Sequence, residues 1–277
     1  MCLTHKSALN PTPDGSALQG NYRPGIDAAY HQTTWCANEA IAFMKEDREG
    51  PWLMSVNPFD PHPPFDPPNE YLERMDVEAM PLPLFQPEEL ESQLDFKGID
   101  HQTQLPRSPY DYDARLMVAT YYAQIELIDR QVGRMLKALE ESGQRDDTII
   151  IFMSDHGEML GDHGLLLKGC RFYEGAVHIP LIVSWPGHFE EGLHSEGLVE
   201  LTDIVPTLCE ALSLSIPDNV QGVSLLPILT DNQDPSRHRD MVRCEYHDAL
   251  VRPNASHANM LFDGRYKLIV YHGHQIG

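Results

Sequence analysis

The sequence predicts an α/β protein: a mixed, mostly parallel sheet flanked by helices, of which this chain supplies part, followed by a small C-terminal strand pair. Three observations carry that expectation. Near-continuous apolar runs at Trp52–Val56, Thr148–Met153 and Ile179–Trp185 have the length and composition of strands covered on both faces. Between them lie segments whose apolar residues recur at helical spacing, the longest running from Asp111 or Asp113 to Ser142. Towards the end, Met241–Tyr246 and Met260–Val270 alternate in the manner of strands, with Asp263-Gly264 as a hairpin turn signal.

Taken in order, residues 1–25 are rich in Pro, Gly, Asn and Ser, show no apolar period, and read as an irregular segment. From Ile26 to about Glu49, the residues Ala29, Trp35, Ala40, Ile41, Phe43 and Met44 fit a helix with one buried face, stopped near Gly50-Pro51. Trp52–Val56 follows as a short strand that Asn57-Pro58 ends. The next stretch, NPFDPHPPFDPPNEY, is a stiff loop, because each proline removes a donor and fixes the backbone. Residues 80–110 are polar and proline-punctuated, an excursion over the surface with a short helix at most. In the long helix, Leu116, Ala119, Tyr122, Ile125, Ile128, Val132, Met135, Leu136 and Leu139 recur at helical spacing, and Gly143 reads as a stop. That helix feeds the strand at Thr148, and Pro186-Gly187 closes Ile179–Trp185. Leu201–Leu214 reads as a helix with Thr202 or Asp203 near its start and Pro206 tolerated in the first turn, and Ser224–Leu229 as one helical turn. The chain thus divides into the irregular segment 1–25, a partial α/β domain over 26–235, and the beginning of a strand-rich region over 236–277 that is cut short. An incomplete sheet leaves apolar surface and an edge uncovered, which predicts self-association.

The 20 Lys and Arg against 42 Asp and Glu leave a formal charge of -22, which excludes nucleic acid or an anionic membrane as the main partner. An anion can still be bound locally, through a metal ion or a focused cationic pocket. Cys2, Cys36, Cys170, Cys209 and Cys244 are scattered, lack CxxC or zinc-finger spacing, and read as reduced or buried. The sequence contains no run of about 18 apolar residues of the kind that spans a membrane. Its first residues lack the apolar core of a secretory signal, so localisation stays open between the cytoplasm and an exported protein whose true N-terminus lies upstream.

Chemistry-bearing residues concentrate just past Met153, the end at which open α/β sheets place their ligands. Asp155 and His156 are adjacent and reach one ion only if the chain leaves the strand there, which Gly157 permits. The carboxylate suits Ca²⁺, Mg²⁺ or Mn²⁺, and the imidazole tilts the choice toward a transition metal. The plain alternative is a turn in which Asp155 caps the backbone and His156 is solvated. Lys168 and Arg171 follow, as anion partners or as solvated charges, with Glu174 as an ion-pair partner for either. Glu158 and Asp162 read as surface acids. His62, in the proline-rich loop, is either a rigidly held functional imidazole or an incidental surface one.

The run SDHGEMLGDHGLLLKGCRFYEGAVHIPLIVSWPG resembles the downstream signature of the type I, formylglycine-dependent sulfatases of the alkaline phosphatase superfamily. NPFDPHPPFDPPNEY resembles that family's PHxPF loop, and DGRYKLI its late strand pair, in the family's order. The resemblance implies an alkaline phosphatase-like fold, residues 26–235 being a partial catalytic domain, and hydrolysis of a small-molecule or carbohydrate sulfate ester. It implies a divalent metal, Ca²⁺ first and Mn²⁺ or Mg²⁺ next, held by Asp155 and His156, with His156 where other members have Asn. Lys168 is implied to contact the sulfate or leaving-group oxygen, and His62 to hydrogen-bond the sulfate or protonate the departing alcohol. His163 and Arg171 fall where substrate groups beyond the sulfate sit.

The sequence departs from the family at one point that matters. The formylglycine precursor belongs to a C/S-x-P-x-R motif preceded by an early Asp pair, and none of the five cysteines has that context. Gln233-Asp234-Pro235-Ser236-Arg237 carries Gln at the nucleophile's place and lies after the metal loop. The chain therefore reads as the middle and downstream part of a sulfatase, inactive by itself. Two other readings are a phosphonate or phosphodiester hydrolase of the same superfamily, and a non-catalytic remnant or binding subunit.

Overall fold

The computed structural model describes residues 25–96, 99, 106–247 and 257–273. The irregular segment expected at 1–25 lies outside them except for its last residue, as does Cys2. The chain forms two compact units: residues 1–91, 105–145 and 160–166, and residues 92–104, 146–159 and 167–277.

The first unit is built on two helices. Helix α1 spans Gln32–Met44, preceded by a 3-10 turn at Ala28–Tyr30, and is shorter at both ends than its apolar spacing suggests. Its N-cap is His31, whose Nδ1 accepts the Thr33 N–H at 3.3 Å. The next segment, Trp52–Val56, forms no strand: among the described residues nothing pairs with it, and Leu53 is 87% exposed. The one-turn helix α2, Asn69–Leu72, and the short α3, Glu89–Leu94, come before α4, Ala114–Glu141. Helix α4 matches the expectation within a residue or two because both ends are specified locally. The Asp113 carboxylate accepts the Leu116 N–H at 3.0 Å as N-cap. At the other end Gly143, with φ +70°, donates to the Glu140 carbonyl and Gln144 donates to Leu139, each at 3.0 Å, closing a Schellman turn.

Helices α1 and α4 pack along each other through small side chains. Ala37 and Ala40 on α1, and Ala119 and Ala123 on α4, are all but inaccessible, which lets the backbones approach. Tyr71 of α2 joins Ala123 and Leu127 in the same core. Polar contacts tie the pair across the sequence: Arg134 donates to the Asn38 side chain at 2.7 Å and Gln144 to the Met44 carbonyl at 2.9 Å.

The second unit holds two sheets. Strand β1, Ile150–Met153, leads into the loop that carries the expected metal ligands Asp155 and His156, the metal loop; after the single turn α5, Glu174–Val177, the chain returns as β2, Leu181–Ser184. They pair antiparallel, Ile150 opposite Ser184 and Met153 opposite Leu181, where the apolar runs suggest parallel pairing. A parallel return needs a crossover down the length of the sheet, usually a helix of several turns, and a four-residue α5 is too short to make one. With one neighbour each among the described residues, the strands leave Phe152, Met153 and Ile182 largely exposed. Beyond β2, a 3-10 turn at Leu201–Asp203 runs into helix α6, Ile204–Ala211, and α7 spans Leu226–Leu229.

The second sheet is an antiparallel meander of β3 (Val242–His247), β4 (His257–Phe262) and β5 (Lys267–Tyr271). Its β4–β5 turn is the expected Asp263-Gly264, with Gly264 at φ +89° and the Asp263 carboxylate accepting the Arg265 and Tyr266 N–H groups at 2.9 and 2.6 Å. Register places Cys244, Met260 and Ile269, then Tyr246, Ala258 and Tyr271, on one face. That face packs on Cys170 and Phe172, just past the metal loop, and the Tyr271 hydroxyl donates to the Cys170 carbonyl at 3.1 Å. The four described cysteines are free thiols. Among the described residues no helix is long and apolar enough to cross a membrane.

The ends of α4 can be tested directly. A Cβ at Gly143 meets nothing within 4 Å, so the cost of Gly143→Ala is the left-handed backbone alone, about 1 kcal/mol. Asp113→Ala costs a similar amount, about 1 kcal/mol, through the lost cap. Urea unfolding of the two single variants and the double variant should give additive losses, since the sites lie at opposite ends of the helix.

Candidate functional site

The loop begins at Ser154, just past the end of β1 at Met153, and Gly157 fixes its course. Gly157 donates to the Ala176 carbonyl at 2.8 Å and Glu158 to the Gly175 carbonyl at 2.9 Å, which locks the start of the loop to α5. A Cβ at Gly157 would lie 2.0 Å from the Gly175 oxygen, so only glycine allows this approach. Met159 donates to Leu167 at 3.0 Å and closes the loop's base.

Asp155 and His156 are brought together at this exit. The Asp155 carboxylate accepts the His156 backbone N–H at 3.0 Å and the side chain is 86% exposed. His156 Nδ1 lies 2.8 Å from the Gly157 carbonyl, which has no proton to give, so Nδ1–H is the donor and Nε2 keeps its lone pair. Nε2 sits 3.8 Å from Asp155 Oδ2. Two ligands on one cation at bonds of about 2.0–2.6 Å stand this far apart, and an imidazole whose other nitrogen is fixed by a carbonyl is the usual form of a metal-bound histidine. The residues therefore fit a divalent cation as two members of its coordination shell.

Lys168 is half-buried within electrostatic reach of Glu158 and Asp155. Burial pushes its ammonium below the usual lysine range, and the two carboxylates, which act in the opposite sense, do not restore it. Glu174 ion-pairs with Lys267 of β5 rather than with Lys168 or Arg171, and lies 3.5 Å from His178. Lys267 also donates to the Phe172 carbonyl at 2.7 Å, which fastens the meander to the end of the loop. Arg171 is 3% exposed, lies 3.1 Å above the Phe96 ring, and donates to the Gln93 carbonyl at 3.4 Å. These are the contacts of an interior cation.

The other two site candidates belong to the first unit. His62 is exposed in its proline-rich loop, its Nδ1 2.8 Å from the Pro63 carbonyl and its ring 4.7 Å from that of Phe59. His163, with φ +58°, donates its N–H to Leu84 at 2.7 Å and holds Glu89 Oε1 at 2.6 Å through Nδ1. Asp162, half-buried, also has a structural role: its carboxylate accepts the Leu84 N–H at 2.7 Å. Tyr112, its hydroxyl pushed up to about 12 chiefly by burial, lies against Gly161, where a Cβ would stand 2.5 Å from the phenol oxygen. Residues 161–164 are thus strapped to Leu84, Glu89, Arg107 and Tyr112.

Sequence reasoning passed over one group. His31, Asp60 and Asp66 are all buried and bring donor atoms within 4.8 Å of one another. The signal was the pair of Asp-Pro steps flanking His62 in FDPHPPFDP, each placing a carboxylate in a stiff loop.

Comparison with known proteins assigns the class first. The solved phosphonate monoester hydrolase from Silicibacter pomeroyi superposes with a TM-score of 0.75 at 26% identity, covering 90% of this chain and 56% of that one, so the fold is α/β of the alkaline phosphatase-like kind. The Sulfatase family model matches residues 5–214, and that of N-sulphoglucosamine sulphohydrolase, C-terminal, matches residues 161–276. The chain belongs to the sulfatase family. It is 35% identical over 234 residues to an arylsulfatase of Clostridium perfringens, covering 80% of this chain and 46% of the relative. It is 33% identical over 238 residues to the multifunctional alkaline phosphatase superfamily protein PehA of Trinickia caryophylli, covering 80% and 45%. The chain spans about half the length of these relatives. The family uses a divalent metal.

Two predictions follow from the loop geometry. Gly157→Ala forces the β1 exit away from Gly175 and should cost about 2 kcal/mol or more in urea unfolding. For Glu89, burial pushes the carboxyl up, but the His163 hydrogen bond, the Gln86 N–H and the His163 charge together bring it below the usual range. Its contribution to stability is therefore complete above the ordinary glutamate pKa of about 4.3 and is lost as pH falls through the lowered folded value. Glu89→Gln should flatten this part of the acid-unfolding curve while leaving stability near neutral pH reduced and nearly pH-independent, which thermal melts across the acid range will show.

Proposed function

We propose that the chain carries the metal-binding and leaving-group side of a sulfuric ester hydrolase acting on a small-molecule or carbohydrate sulfate ester. The observation that supports this most directly is the Asp155–His156 pair, with His156 Nε2 presented 3.8 Å from Asp155 Oδ2 in a sulfatase-family chain. A divalent cation bound there, Ca²⁺ by resemblance and Mn²⁺ next given the imidazole nitrogen, supplies positive charge beside a sulfate oxygen.

In this reading Lys168 donates a hydrogen bond to the sulfate or to the oxygen of the departing alcohol, where negative charge grows. Its half-burial strengthens that bond, because little water competes for the ammonium. His62 serves the leaving alcohol as a proton donor, its ring oriented by the contact of Nδ1 with the Pro63 carbonyl. His163 and Arg171 are proposed to act on substrate through the loop they hold. The nucleophile is supplied by residues other than these 277, since no C/S-x-P-x-R motif occurs in them.

A second reading, phosphonate or phosphodiester hydrolysis, is favoured by the structural likeness to the phosphonate monoester hydrolase. Both readings predict that the pure 277-residue protein, supplied with metal, leaves aryl sulfates and aryl phosphonates at the uncatalysed rate. Measurable turnover would overturn the assignment of the nucleophile elsewhere. In a chain extended with a family nucleophile segment, Lys168→Ala should lower kcat/KM for an aryl sulfate by about 10²–10³-fold. Preference for the aryl sulfate supports the first reading; preference for the phosphonate transfers the site to the second.

A further inference from the structure

The direction of the His156 ring is set by a single peptide group. The Gly157 carbonyl that takes the Nδ1 proton and the Glu158 N–H belong to one planar unit, and that N–H is bonded at 2.9 Å to the Gly175 carbonyl of α5. The Gly157 N–H, bonded at 2.8 Å to the Ala176 carbonyl, holds the preceding peptide in the same way. The placement of α5 therefore decides how the imidazole points and which of its nitrogens stays open to a cation. Yet α5 is one turn of four residues with no side-chain cap at Tyr173, and a single turn does not hold its own position.

We propose that Lys267, on the last strand of the meander, is the positioning residue for the Asp155–His156 pair: its ammonium clamps the entrance of α5, and through α5 it sets the His156 ring. The functional meaning of the clamp rests on the reading of this loop as a metal site; its geometry does not.

Three observations support it. The partners of the ammonium bracket the start of α5, because Lys267 Nζ donates to the Phe172 carbonyl at 2.7 Å and to the carboxylate of Glu174, which opens the turn. An ion pair alone holds little at a surface, but here a backbone carbonyl shares the ammonium, the lysine side chain is 20% exposed, and Nζ lies 5.6 Å from the centre of the Phe262 ring. Strand geometry gives the second. Lys267, Ile269 and Tyr271 alternate onto one face of β5, so the ammonium and the Tyr271 hydroxyl grip the carbonyls of Phe172 and Cys170 from a single strand, and the side chains of Cys170 and Phe172 are buried against that sheet. The third is the other neighbour of Glu174. His178 lies 3.5 Å from its carboxylate, but it caps α5 itself and is 81% exposed, so it cannot tie the turn to anything else.

The test uses the full 277-residue protein with Lys267→Met, Lys267→Arg or Glu174→Gln, read by amide hydrogen exchange and by nitrogen NMR of labelled histidine. In Lys267→Met the Gly157 and Glu158 amides should exchange about 10-fold faster or more, while those of α6 keep the wild-type rate. The His156 ring, assigned by the signals lost in His156→Gln, should be mainly the Nδ1–H tautomer in the wild type and a mixture in Lys267→Met. Lys267→Arg should restore the wild-type tautomer, since a guanidinium also bridges a carbonyl and a carboxylate. Glu174→Gln, which keeps an acceptor, should fall between, and it decides by the same two signals if Lys267→Met does not fold. Unchanged exchange at Gly157 and Glu158 would overturn the proposal. So would acceleration that includes α6, which marks a general loss of stability, and so would failure of arginine to restore the tautomer. Titration with MnCl₂ separates the clamp from the reading of the loop: Asp155→Asn should weaken binding, and Lys267→Met should weaken it by about 10-fold with Asp155 intact. Affinity that depends on Asp155 but not on Lys267 refutes the clamp. Affinity indifferent to Asp155 refutes the metal reading instead, and exchange and tautomer still decide the clamp.

Discussion

The candidate site depends on one close approach of backbone to backbone. Where Gly157 meets Gly175, the chain leaving β1 and the chain entering α5 come so near that a single methyl group would collide with a carbonyl oxygen. The two hydrogen bonds made there fix the direction in which Asp155 and His156 emerge. Adjacent residues of a strand point to opposite faces, and Asp155 and His156 can approach one another because the strand has already ended at Met153. The same contact explains the antiparallel ribbon: the loop folds back on its own entrance, and β2 starts at the end of the sheet where β1 stopped.

Around that contact the structure is fastened by partners far away in sequence. Lys267 reaches across 93 residues to Glu174, and Tyr271 across 101 residues to the Cys170 carbonyl. The C-terminal meander is therefore the floor on which the end of the metal loop rests, through Cys170 and Phe172. Within the other unit Asp162, His163 and Gly164 are held by Leu84, Glu89 and Arg107. Buried polar groups do much of this work. Asp203, wholly inaccessible, accepts from the backbones of Glu200 and Val223 and from Arg239, and so joins three segments that share no apolar pattern.

What could be read from the sequence was what is encoded locally. Helix α4 was legible to its caps, because Asp113, the apolar period and Gly143 act within a few residues of one another. The Asp263-Gly264 turn, and the turn in which the Asp155 carboxylate accepts the following N–H, were legible for the same reason. Trp52–Val56 shows the limit. Its residues alternate in exposure as a strand's would, but a strand is a property of a pair, and no described neighbour supplies the ladder. The partner of Glu174 was misread because Lys168 and Arg171 are near in sequence, whereas Lys267 is near in space. Asp60 and Asp66 were hidden for a similar reason: the third donor, His31, sits before a helix with no motif to link them.

Charge poses the remaining physical question, since a chain of net charge -22 is assigned an anionic substrate. Screening resolves it. At physiological ionic strength charges separated by more than about 8 Å scarcely interact, so the global excess of acid slows encounter at low salt without deciding affinity in the site. Affinity is set by the few groups that touch an anion, and Lys168, proposed for that role, is desolvated enough to depress its pKa, despite Glu158 and Asp155 nearby. A lysine that has already lost part of its hydration gives up less on binding an anion than a fully solvated one. In the proposed site the acidic groups would hold a cation and the half-buried lysine would meet the anion, and the two demands conflict only if both fall on the same atoms.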